Sequence, residues 1–284
     1  MNVRDLLAGA TRRLTDAGVD SPRVDAELLL ASVLGVSRGR LLTLLVVPDD
    51  VAVRFGALLD QRADRVPLQH LTGRAPFRYL ELAVGPGVFV PRPETEQLAG
   101  WAVQQLAGLA APVVVDLGAG SGALALSIAH EHPGARVTAV ERDPGAIEWT
   151  RHNAADRAVA GDTPVQVLPG DMTDPQLLRG LDGSVDLVVS NPPYVPDGAR
   201  VPREVADHDP PLALWGGPDG LDVVRGLLVT AARLLRAGGL LGIEHADQQG
   251  SSLPALVRAH GSYTEVEDHP DLAGRPRFTT ARRA

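Results

Sequence analysis

The fold of this chain is decided by the stretch Val113-Val114-Val115-Asp116-Leu117-Gly118-Ala119-Gly120-Ser121-Gly122. Its first half is an apolar run, typical of a strand that is buried on both faces of a parallel sheet. Its second half is a glycine-rich turn, and the apolar residues Ala123 to Ala129 that follow predict a helix. Glycines in such a turn let the backbone approach a ligand and present N–H groups at the start of a helix. The stretch therefore predicts a ligand-binding strand–turn–helix unit.

An acidic residue, Glu141, follows the next predicted strand, Arg136 to Val140. A carboxylate about 20 residues beyond the glycines is placed to accept hydrogen bonds from ribose hydroxyls. The spacing Gly118-x-Gly120-x-Gly122 departs from the dinucleotide pattern Gly-x-Gly-x-x-Gly. Asp116, at the entry of the turn, would repel a pyrophosphate but tolerate a sulfonium or a zwitterionic amino acid. The turn therefore favours S-adenosylmethionine over NAD.

A second motif, Asn191-Pro192-Pro193-Tyr194, comes directly after the predicted strand Asp186–Ser190. Ligands of open α/β sheets collect at the carboxyl ends of strands. The two prolines remove backbone donors and stiffen the turn, so carbonyls and a side-chain amide can face a bound group. The motif suits a planar amino group, with Asn191 and a turn carbonyl as acceptors and Tyr194 as an apolar wall. Taken alone, the tetrapeptide is equally compatible with a rigid loop that has no catalytic role.

Length and composition indicate a soluble globular protein with one large and one small domain. The chain has 284 residues, 44% of them hydrophobic, and a mean hydropathy near zero. No apolar run reaches membrane-spanning length, and the charged, amphipathic N-terminus differs from a secretory signal. The absence of cysteine excludes disulfides and cysteine-ligated metals and is compatible with a cytoplasmic protein. A formal net charge of −8 argues against a broad phosphate-binding surface.

The chain divides into three predicted regions. Apolar residues of the N-terminal part follow helical spacing, and Ser21-Pro22 has the form of a helix start. Phe77 to Val84 and Val88 to Val90 alternate around Gly85-Pro86-Gly87, which predicts a hairpin. From Val113 onward strands and helices alternate, as in a parallel α/β sheet. The regions are a helical domain over 1–75, a β-hairpin linker over 76–92 and an α/β domain over 93–284.

Seven strands are predicted for the α/β domain, of which the last two form a closing antiparallel pair. They are Val113–Leu117, Arg136–Val140, Val165–Leu168, Asp186–Ser190, Gly239–Glu244, Tyr263–Glu267 and Arg275–Ala281. Helices are predicted over Gly145–Ala158 and Leu221–Leu235. The proline-rich stretch Pro196–Pro218 is long enough to be a functional loop.

These motifs and their order resemble the HemK/PrmC-type peptide chain release factor glutamine methyltransferases. The resemblance includes Phe89-Val90-Pro91-Arg92-Pro93-Glu94-Thr95-Glu96 and the later segment Arg203-Glu204-Val205 … Pro210-Pro211-Leu212-Ala213-Leu214. These two segments are more specific than Asn-Pro-Pro-Tyr, which also marks methyltransferases acting on exocyclic amines of adenine and guanine. The resemblance spans nearly the whole chain. It implies a Rossmann-like class I S-adenosylmethionine-dependent methyltransferase, with a small helical N-terminal domain and a hairpin linker before the methyltransferase domain.

The resemblance implies transfer of a methyl group from S-adenosylmethionine to the side-chain amide nitrogen of glutamine. The glutamine would be that of the Gly-Gly-Gln motif of bacterial class-1 release factors. By position, the cofactor would be bound by Gly118, Ala119, Gly120, Ser121, Gly122, Glu141, Asp171, Met172 and Asn191. Glu141 would hold the ribose, and Asp171 with Met172 would contact the adenine. The substrate would be bound by Asn191, Pro192, Pro193 and Tyr194.

The expected mechanism requires orientation of the substrate and neither a metal nor an acid, because the sulfonium methyl is already activated. A carboxamide nitrogen is a poor nucleophile, since its lone pair is delocalised into the carbonyl. The side-chain oxygen of Asn191 and the carbonyl of Pro192 would accept its two N–H bonds and localise electron density on nitrogen. Tyr194 would pack near the amide plane. We expect Asn191, Pro192 and Tyr194 to be the catalytic residues and the proton to leave to water.

Two other functions remain open on the sequence alone. A nucleic-acid methyltransferase acting on adenine would use the same acceptors, but it needs a base-flipping region and a basic groove. The residues outside the α/β domain are few and not clearly basic. A non-enzymatic binding module would have lost the glycine turn or Asn191, and both are intact. Glu244-His245 ends the fifth predicted strand, which places it near the site, and it is interpreted as structural. Glu94 and Glu96 either complement a helix start or line the pocket.

Overall fold

A computed structural model describes residues 1–41 and 43–284. Its helices are α1 (Val3–Asp16), α2 (Pro22–Leu34), α3 (Arg38–Leu41), α4 (Asp49–Ala63), α5 (Leu68–Thr72), α6 (Thr95–Leu106), α7 (Ala123–Glu131), α8 (Pro144–Val159), α9 (Arg203–His208), α10 (Pro211–Leu214), α11 (Asp222–Leu234) and α12 (Ser252–Ala259). Its strands are β1 (Arg74–Phe77), β2 (Leu80–Ala83), β3 (Val113–Leu117), β4 (Arg136–Glu141), β5 (Gln166–Pro169), β6 (Val185–Ser190), β7 (Leu235–Glu244), β8 (Tyr263–Pro270) and β9 (Pro276–Arg283).

The chain folds as two units that are each built from separate stretches of sequence. The first comprises residues 1–74, 84–86 and 201–209, and the second comprises residues 75–83, 87–200 and 210–284. The segment 201–209, which carries α9, was not expected in the helical unit. The division into regions 1–75, 76–92 and 93–284 stays a prediction. Within the described ranges, no helix has the combination of length and apolar character that crossing a bilayer requires.

The first unit is a helical core whose helix ends follow local sequence signals. Asn2 caps α1, and its side-chain oxygen accepts a hydrogen bond from the Arg4 N–H at 2.8 Å. As predicted, α2 begins at the proline after Ser21, and it ends at Gly35 with a φ of 65°. The largest fully buried side chains of this unit are Leu7, Leu14, Leu29, Leu30, Leu41 and Phe55.

A buried arginine, Arg62 of α4, holds α9 in the helical unit. Its Nε donates to Asp25 Oδ2 at 2.7 Å, and its Nη1 donates to Glu204 Oε2 at 2.8 Å and to the Val66 carbonyl at 2.9 Å. Glu204 also lies 3.6 Å from Arg65 Nη2. Since a buried guanidinium is tolerated only when it is paired, these bonds form one structural cluster. The cluster explains why a segment from late in the chain belongs to this unit.

The second unit contains a seven-stranded, mostly parallel sheet with the order β5-β4-β3-β6-β7-β9-β8. β9 runs antiparallel to both β7 and β8, so the predicted closing pair is confirmed. The sheet has a hydrophobic core on each face, and successive residues of the apolar strands pack into opposite cores. Val114 packs on one face of the sheet and Val115 on the other. From β3 the chain first builds one side of the sheet through β4 and β5, and it then returns to add β6 beside β3. The switch point of the sheet therefore lies between β3 and β6.

The position predicted for the hairpin is wrong. Its strands are β1 and β2, joined at Arg78-Tyr79, and Gly85-Pro86-Gly87 lies beyond the second strand. Arg78 has a φ of 50°, which the sequence pattern does not reveal. Its side chain is fixed from a distance, since Nη2 donates to Glu131 Oε2 at 2.6 Å and Nη1 donates to the Glu96 carbonyl at 3.1 Å. Tertiary ion pairing thus stabilises a turn that has no glycine.

Candidate active site

The two sequence motifs meet at the switch point of the sheet. β3 and β6 are hydrogen-bonded neighbours, with Val114 opposite Leu187 and Asp116 opposite Val189. The glycine turn and Asn191-Pro192-Pro193-Tyr194 therefore leave adjacent strands at the same edge. Glu141 ends β4, and Asp171-Met172 follows β5, so the predicted cofactor residues succeed one another along this edge. This is the place where open α/β sheets bind ligands.

The glycine turn is compact because its glycines adopt a conformation that other residues avoid. Gly118, Gly120 and Gly122 have φ values of 82°, 59° and 87°. The N–H of Gly118 donates to the Val140 carbonyl at 2.8 Å. A Cβ atom on Gly118 would lie 2.6 Å from the Met172 methyl, so the missing side chain lets Met172 cover the turn. Glycine at position 118 is thus required both by backbone conformation and by contact.

Glu141 is held by backbone N–H groups in an orientation that suits a hydroxyl-bearing ligand. Its Oε2 accepts from Gly120 N–H at 2.9 Å, which joins it to the glycine turn. Its Oε1 accepts from Arg142 N–H at 2.7 Å and from Asp143 N–H at 2.9 Å. A carboxylate offers about four acceptor positions, so three bonds leave capacity on Oε2. The predicted ribose acceptor is therefore ordered by the turn.

Asp116 is a fully buried carboxyl group with an unsatisfied oxygen. Its Oδ2 accepts from Ala125 N–H at 3.1 Å, whereas Oδ1 has no hydrogen-bond partner among residues 1–41 and 43–284. Burial raises the pKa of Asp116 to about 7, and the charge of Glu141 raises it further, against the lowering effect of the Ala125 N–H. A buried acceptor of this kind fits a cationic group of a ligand.

Asp171 and Met172 form the end of the candidate cofactor site beyond β5. Asp171 Oδ1 accepts from the N–H and the hydroxyl of Thr173 at 2.8 and 2.7 Å, and Oδ2 lies 3.2 Å from Arg142 Nη1. Burial raises the pKa of Asp171, but the bonds from Thr173 and Arg142 lower it more, so the net shift is downward. Met172 is 9% exposed. Its thioether methyl packs against Gly118 and gives that side of the turn an apolar surface.

The Asn191 side chain is oriented by a threonine outside its own motif. Asn191 Nδ2 donates to Thr95 Oγ1 at 3.2 Å, and Thr95 is the first residue of α6. The amide nitrogen is thus used inside the protein, and the amide oxygen lies on the other side of the planar group. This is the polarity that recognition of an amino group requires, because the oxygen is the acceptor.

Tyr194 is held by Glu244, the last residue of β7. The phenol donates to Glu244 Oε1 at 3.3 Å. Burial, and then the neighbouring Glu244 charge, raise the pKa of Tyr194 far above its ordinary value, so the phenol is neutral at physiological pH. From the sequence, Glu244 was expected near the site as a structural residue. It does lie there, in contact with a motif residue.

Two glycines and a glutamine support the backbone of the proline-rich turn, and all three were missed in the sequence. Gln249 Nε2 donates to the Tyr194 carbonyl at 3.1 Å. A Cβ atom on Gly216 would lie 2.6 Å from the Pro193 carbonyl oxygen, and one on Gly220 would lie 2.2 Å from the Tyr194 carbonyl oxygen. The glycines of the stretch Gly216–Gly220 were the signal that could have been used, since close backbone approach requires them.

Two family models match the chain. The model described as the PrmC N-terminal domain matches residues 5–73, and the one described as the Methyltransferase small domain matches residues 81–207. The first match lies in the helical unit. The second begins within β2 and extends through the glycine turn and the Asn191 motif.

Solved structures share the fold at low sequence identity. A T. thermophilus 16S rRNA methyltransferase in complex with AdoMet and guanosine has a TM-score of 0.52 at 22% identity, covering 74% of this chain and 50% of that one. A methyltransferase from Pyrococcus furiosus has a TM-score of 0.50 at 18% identity, covering 72% of this chain and 88% of that one. These similarities concern the fold, and they confirm the predicted class I methyltransferase architecture.

Full-length relatives carry the name release factor glutamine methyltransferase. That of Mycolicibacterium smegmatis is 51% identical over 281 residues, covering 99% of this chain and 98% of the relative. That of Streptomyces coelicolor is 51% identical over 283 residues, covering 98% and 97%. That of Mycobacterium tuberculosis is 46% identical over 287 residues, covering 100% and 92%. Identity at this level over almost the whole of each chain shows that this chain belongs to the release factor glutamine methyltransferase family.

Proposed function

We propose that this protein transfers a methyl group from S-adenosylmethionine to the side-chain amide nitrogen of the glutamine in the Gly-Gly-Gln motif of class-1 peptide chain release factors. The observation that carries the proposal is the adjacency of the two motifs on β3 and β6. The Asn191 motif and the glycine turn follow neighbouring strands at the same edge of the sheet, and the Asn191 amide nitrogen is bonded to Thr95. The names of the full-length relatives support the same substrate. Action in the cytoplasm stays a prediction.

The residues at the strand ends suit S-adenosylmethionine in charge and in hydrogen-bonding capacity. Asp116 Oδ1 is a buried acceptor for a cationic amino group or sulfonium, and Glu141 Oε2 has acceptor capacity for a ribose hydroxyl. Met172 supplies an apolar surface, and Asp171 an oriented carboxylate, for an adenine ring. When bound, the cofactor supplies a methyl group that its positive sulfur has already activated.

The chain's own residues act on the glutamine amide by orienting it. The Asn191 oxygen and the Pro192 carbonyl accept the two N–H bonds, so that the nitrogen lone pair is directed at the methyl group. These acceptors also stabilise the positive charge that develops on nitrogen during transfer. Tyr194, as a neutral phenol, forms an apolar wall against the amide plane and withdraws no proton. The amide proton leaves to water after transfer.

The function is tested with recombinant release factor, isotope-labelled S-adenosylmethionine and mass spectrometry of the Gly-Gly-Gln peptide. Two variants separate the two halves of the site. Glu141→Ala should weaken cofactor binding by about 1–3 kcal/mol in calorimetry, the range for a lost charged hydrogen bond. Asn191→Ala should leave cofactor affinity within a few-fold and reduce turnover by about 100-fold or more.

Three outcomes would overturn the proposal. Methylation of adenine in DNA or RNA, with none on release factor glutamine, would favour the nucleic-acid alternative. Tighter binding of NAD than of S-adenosylmethionine would reject the cofactor. Equal losses of cofactor affinity and turnover in Asn191→Ala would make that residue structural.

A further inference from the structure

Two buried side chains, Thr95 and Glu244, lie behind the functional side chains of the Asn191 motif. Asn191 Nδ2 donates to Thr95 Oγ1 at 3.2 Å, and the Thr95 hydroxyl lies close enough to Glu244 to lower the pKa of that carboxyl group, whose Oε2 has no hydrogen-bond partner within residues 1–41 and 43–284. The Tyr194 phenol donates to Glu244 Oε1 at 3.3 Å. Thr95 and Glu244 are 4% and 1% exposed, so water does not compete for these bonds. Neither residue belongs to the motif that it contacts.

We propose that Thr95 and Glu244 are positioning residues that fix which end of the Asn191 amide faces the substrate. The inference rests on the proposed function, because it assigns a role to residues behind the substrate acceptor. It also assigns a role to the Pro91–Glu96 segment, which contains Thr95. Glu244 also accepts the hydrogen bond from the Tyr194 phenol. One carboxylate therefore positions Tyr194 directly and Asn191 through Thr95.

The direction of each hydrogen bond follows from the ionised state of Glu244. A carboxylate can only accept, so the Thr95 hydroxyl donates to it and has used its single proton. Thr95 Oγ1 can then only accept from Asn191, which requires the amide nitrogen to face Thr95. The Asn191 oxygen is consequently left for the substrate N–H. Without the threonine hydroxyl, the amide could turn over and present a donor where the reaction needs an acceptor.

The packing of α6 on β7 explains how Thr95 comes to lie over Glu244. Gly242 and Glu244 are two residues apart on β7, so they share one face of the strand. Leu98 and Trp101 of α6 pack onto Gly242, where a Cβ atom would lie 2.7 Å from each of them. Thr95 is three residues, or about one helical turn, before Leu98. The close contact at Gly242 thus sets the distance from Thr95 to Glu244.

Protonation of Glu244 would reverse the donor and acceptor roles in these hydrogen bonds. Burial raises the pKa of Glu244 to about 7, and Glu94 raises it further, while Thr95, Arg277 and Tyr194 lower it. Thr95 begins α6 and Glu94 directly precedes it, Arg277 belongs to β9 and Tyr194 to the Asn191 motif, and His245 is the first residue after β7. A neutral Glu244 could donate to Thr95, whose proton would then turn to the Asn191 oxygen. Turnover should therefore fall as the pH decreases through about 7.

The first test removes and restores the Thr95 hydroxyl. Thr95→Val keeps the shape, and we expect it to lower kcat on release factor by about 10- to 100-fold. Calorimetry should find the S-adenosylmethionine affinity within about twofold of wild type. Thr95→Ser restores the hydroxyl and should recover most of the lost kcat. Thr230→Val is the matched control, since Thr230 is fully buried in α11 and its hydroxyl makes only a 3.5 Å contact with the Asp174 carbonyl.

The second test follows the pH dependence of kcat at saturating cofactor and release factor. Wild type should show an acid limb, and Glu244→Gln, which cannot ionise, should have a lower kcat without that limb. Saturation with cofactor separates this effect from that of Asp116, which lies in the cofactor site. A thermal melt of each variant checks that the fold is retained.

The outcomes distinguish this inference from the proposed function. If wild-type enzyme does not methylate release factor glutamine, the proposed function fails. If wild type is active, three results would each overturn the positioning role: equal losses in Thr95→Val and Thr95→Ser, a loss in Thr95→Val no larger than in Thr230→Val, or an unchanged acid limb in Glu244→Gln.

Discussion

Asp116 and Glu141 are two carboxyl groups of one ligand turn with opposite hydrogen-bond surroundings. Glu141 accepts three backbone N–H bonds, whereas Asp116 accepts one and leaves Oδ1 unpaired within the described part of the chain. A buried oxygen without a donor is destabilising until a ligand supplies one. We infer that a cationic ligand group pairs with Asp116 Oδ1. Pairing would remove the cost of the unsatisfied oxygen and so contribute to the free energy of ligand binding.

Asp116 should make the stability of the ligand-free protein depend on pH. Its pKa is raised from 3.8 to about 7 on folding, so the folded state favours the neutral carboxyl. The contribution is fully present below about pH 4 and is lost as the pH rises through about 7; at about 1.4 kcal/mol per pKa unit, the total is about 4 kcal/mol. The free energy of unfolding, measured with urea, should fall from pH 5 to pH 8. Because Glu244 titrates in the same range, Asp116→Asn should reduce the fall by about 2.5 kcal/mol without abolishing it. An equally steep fall in Asp116→Asn would contradict the assignment.

The sequence predicted where the candidate residues at strand ends lie, and it missed the contacts that these residues make with residues distant in sequence. Glu141 and Asn191 could be placed because the end of a parallel strand is recognisable from the local pattern. The partner of Asn191 is 96 residues away, and the partner of Tyr194 is 50 residues away. Glu244 was expected near the site because it ends a predicted strand, but its contact with Tyr194 could not be read from the local pattern. No local signal connects Thr95 to the motif, since that contact arises only when α6 packs on the sheet.

At the scale of elements, the apolar runs predicted the sheet well. All seven predicted strands are present, and β3 has the predicted bounds. The largest deviation in the sheet is β7, which begins at Leu235, the last residue of the predicted helix, and not at Gly239. Leu235 pairs with Val185, and the register then shifts between Val185 and Leu187. The N-terminal extension of β7 therefore depends on irregular pairing with β6, which the local sequence does not show. The hairpin was misplaced for a similar reason, because the ion pairs of Arg78 come from other elements.

Gly242 is an element-scale test of the contact between α6 and β7. Gly242→Ala would place a Cβ atom 2.7 Å from Leu98 and Trp101, so α6 must move. We expect a loss of about 1–3 kcal/mol in the free energy of unfolding, as for overpacked cores. Because Thr95 moves with α6, kcat should also fall at unchanged cofactor affinity. Urea denaturation, steady-state kinetics and calorimetry measure the three quantities.

The control for this substitution is Gly56→Ala in α4. A Cβ atom on Gly56 meets no other atom within 4 Å, and alanine favours helix, so this variant should be as stable as wild type or slightly more stable. If Gly242→Ala behaved like Gly56→Ala, the tight packing of α6 on β7 would not be the feature that positions Thr95.

At the scale of the whole molecule, the charge is divided unequally along the chain. Residues 1–74 carry ten arginines and nine acidic side chains, so they are close to neutral, whereas the whole chain has a net charge of −8. The excess of acidic residues is therefore carried by the remainder, which contains the candidate site. Such a distribution disfavours a polyphosphate substrate and is compatible with a folded protein partner.

Intact release factor should be a far better substrate than a short peptide with the same Gly-Gly-Gln sequence. The two glycines let a narrow site admit the backbone, but they contribute little binding energy of their own. Contacts to the rest of the release factor, which we assign to the helical unit, should supply that energy and raise kcat/KM by about 100-fold or more.

Activity should also decrease less steeply with salt than that of a DNA-binding enzyme, because few phosphates are neutralised. Steady-state kinetics on both substrates from 50 to about 300 mM salt would measure both effects. Equal kcat/KM values for peptide and protein would show that the site alone selects the substrate, and a salt dependence as steep as that of a DNA-binding protein would reassign the partner.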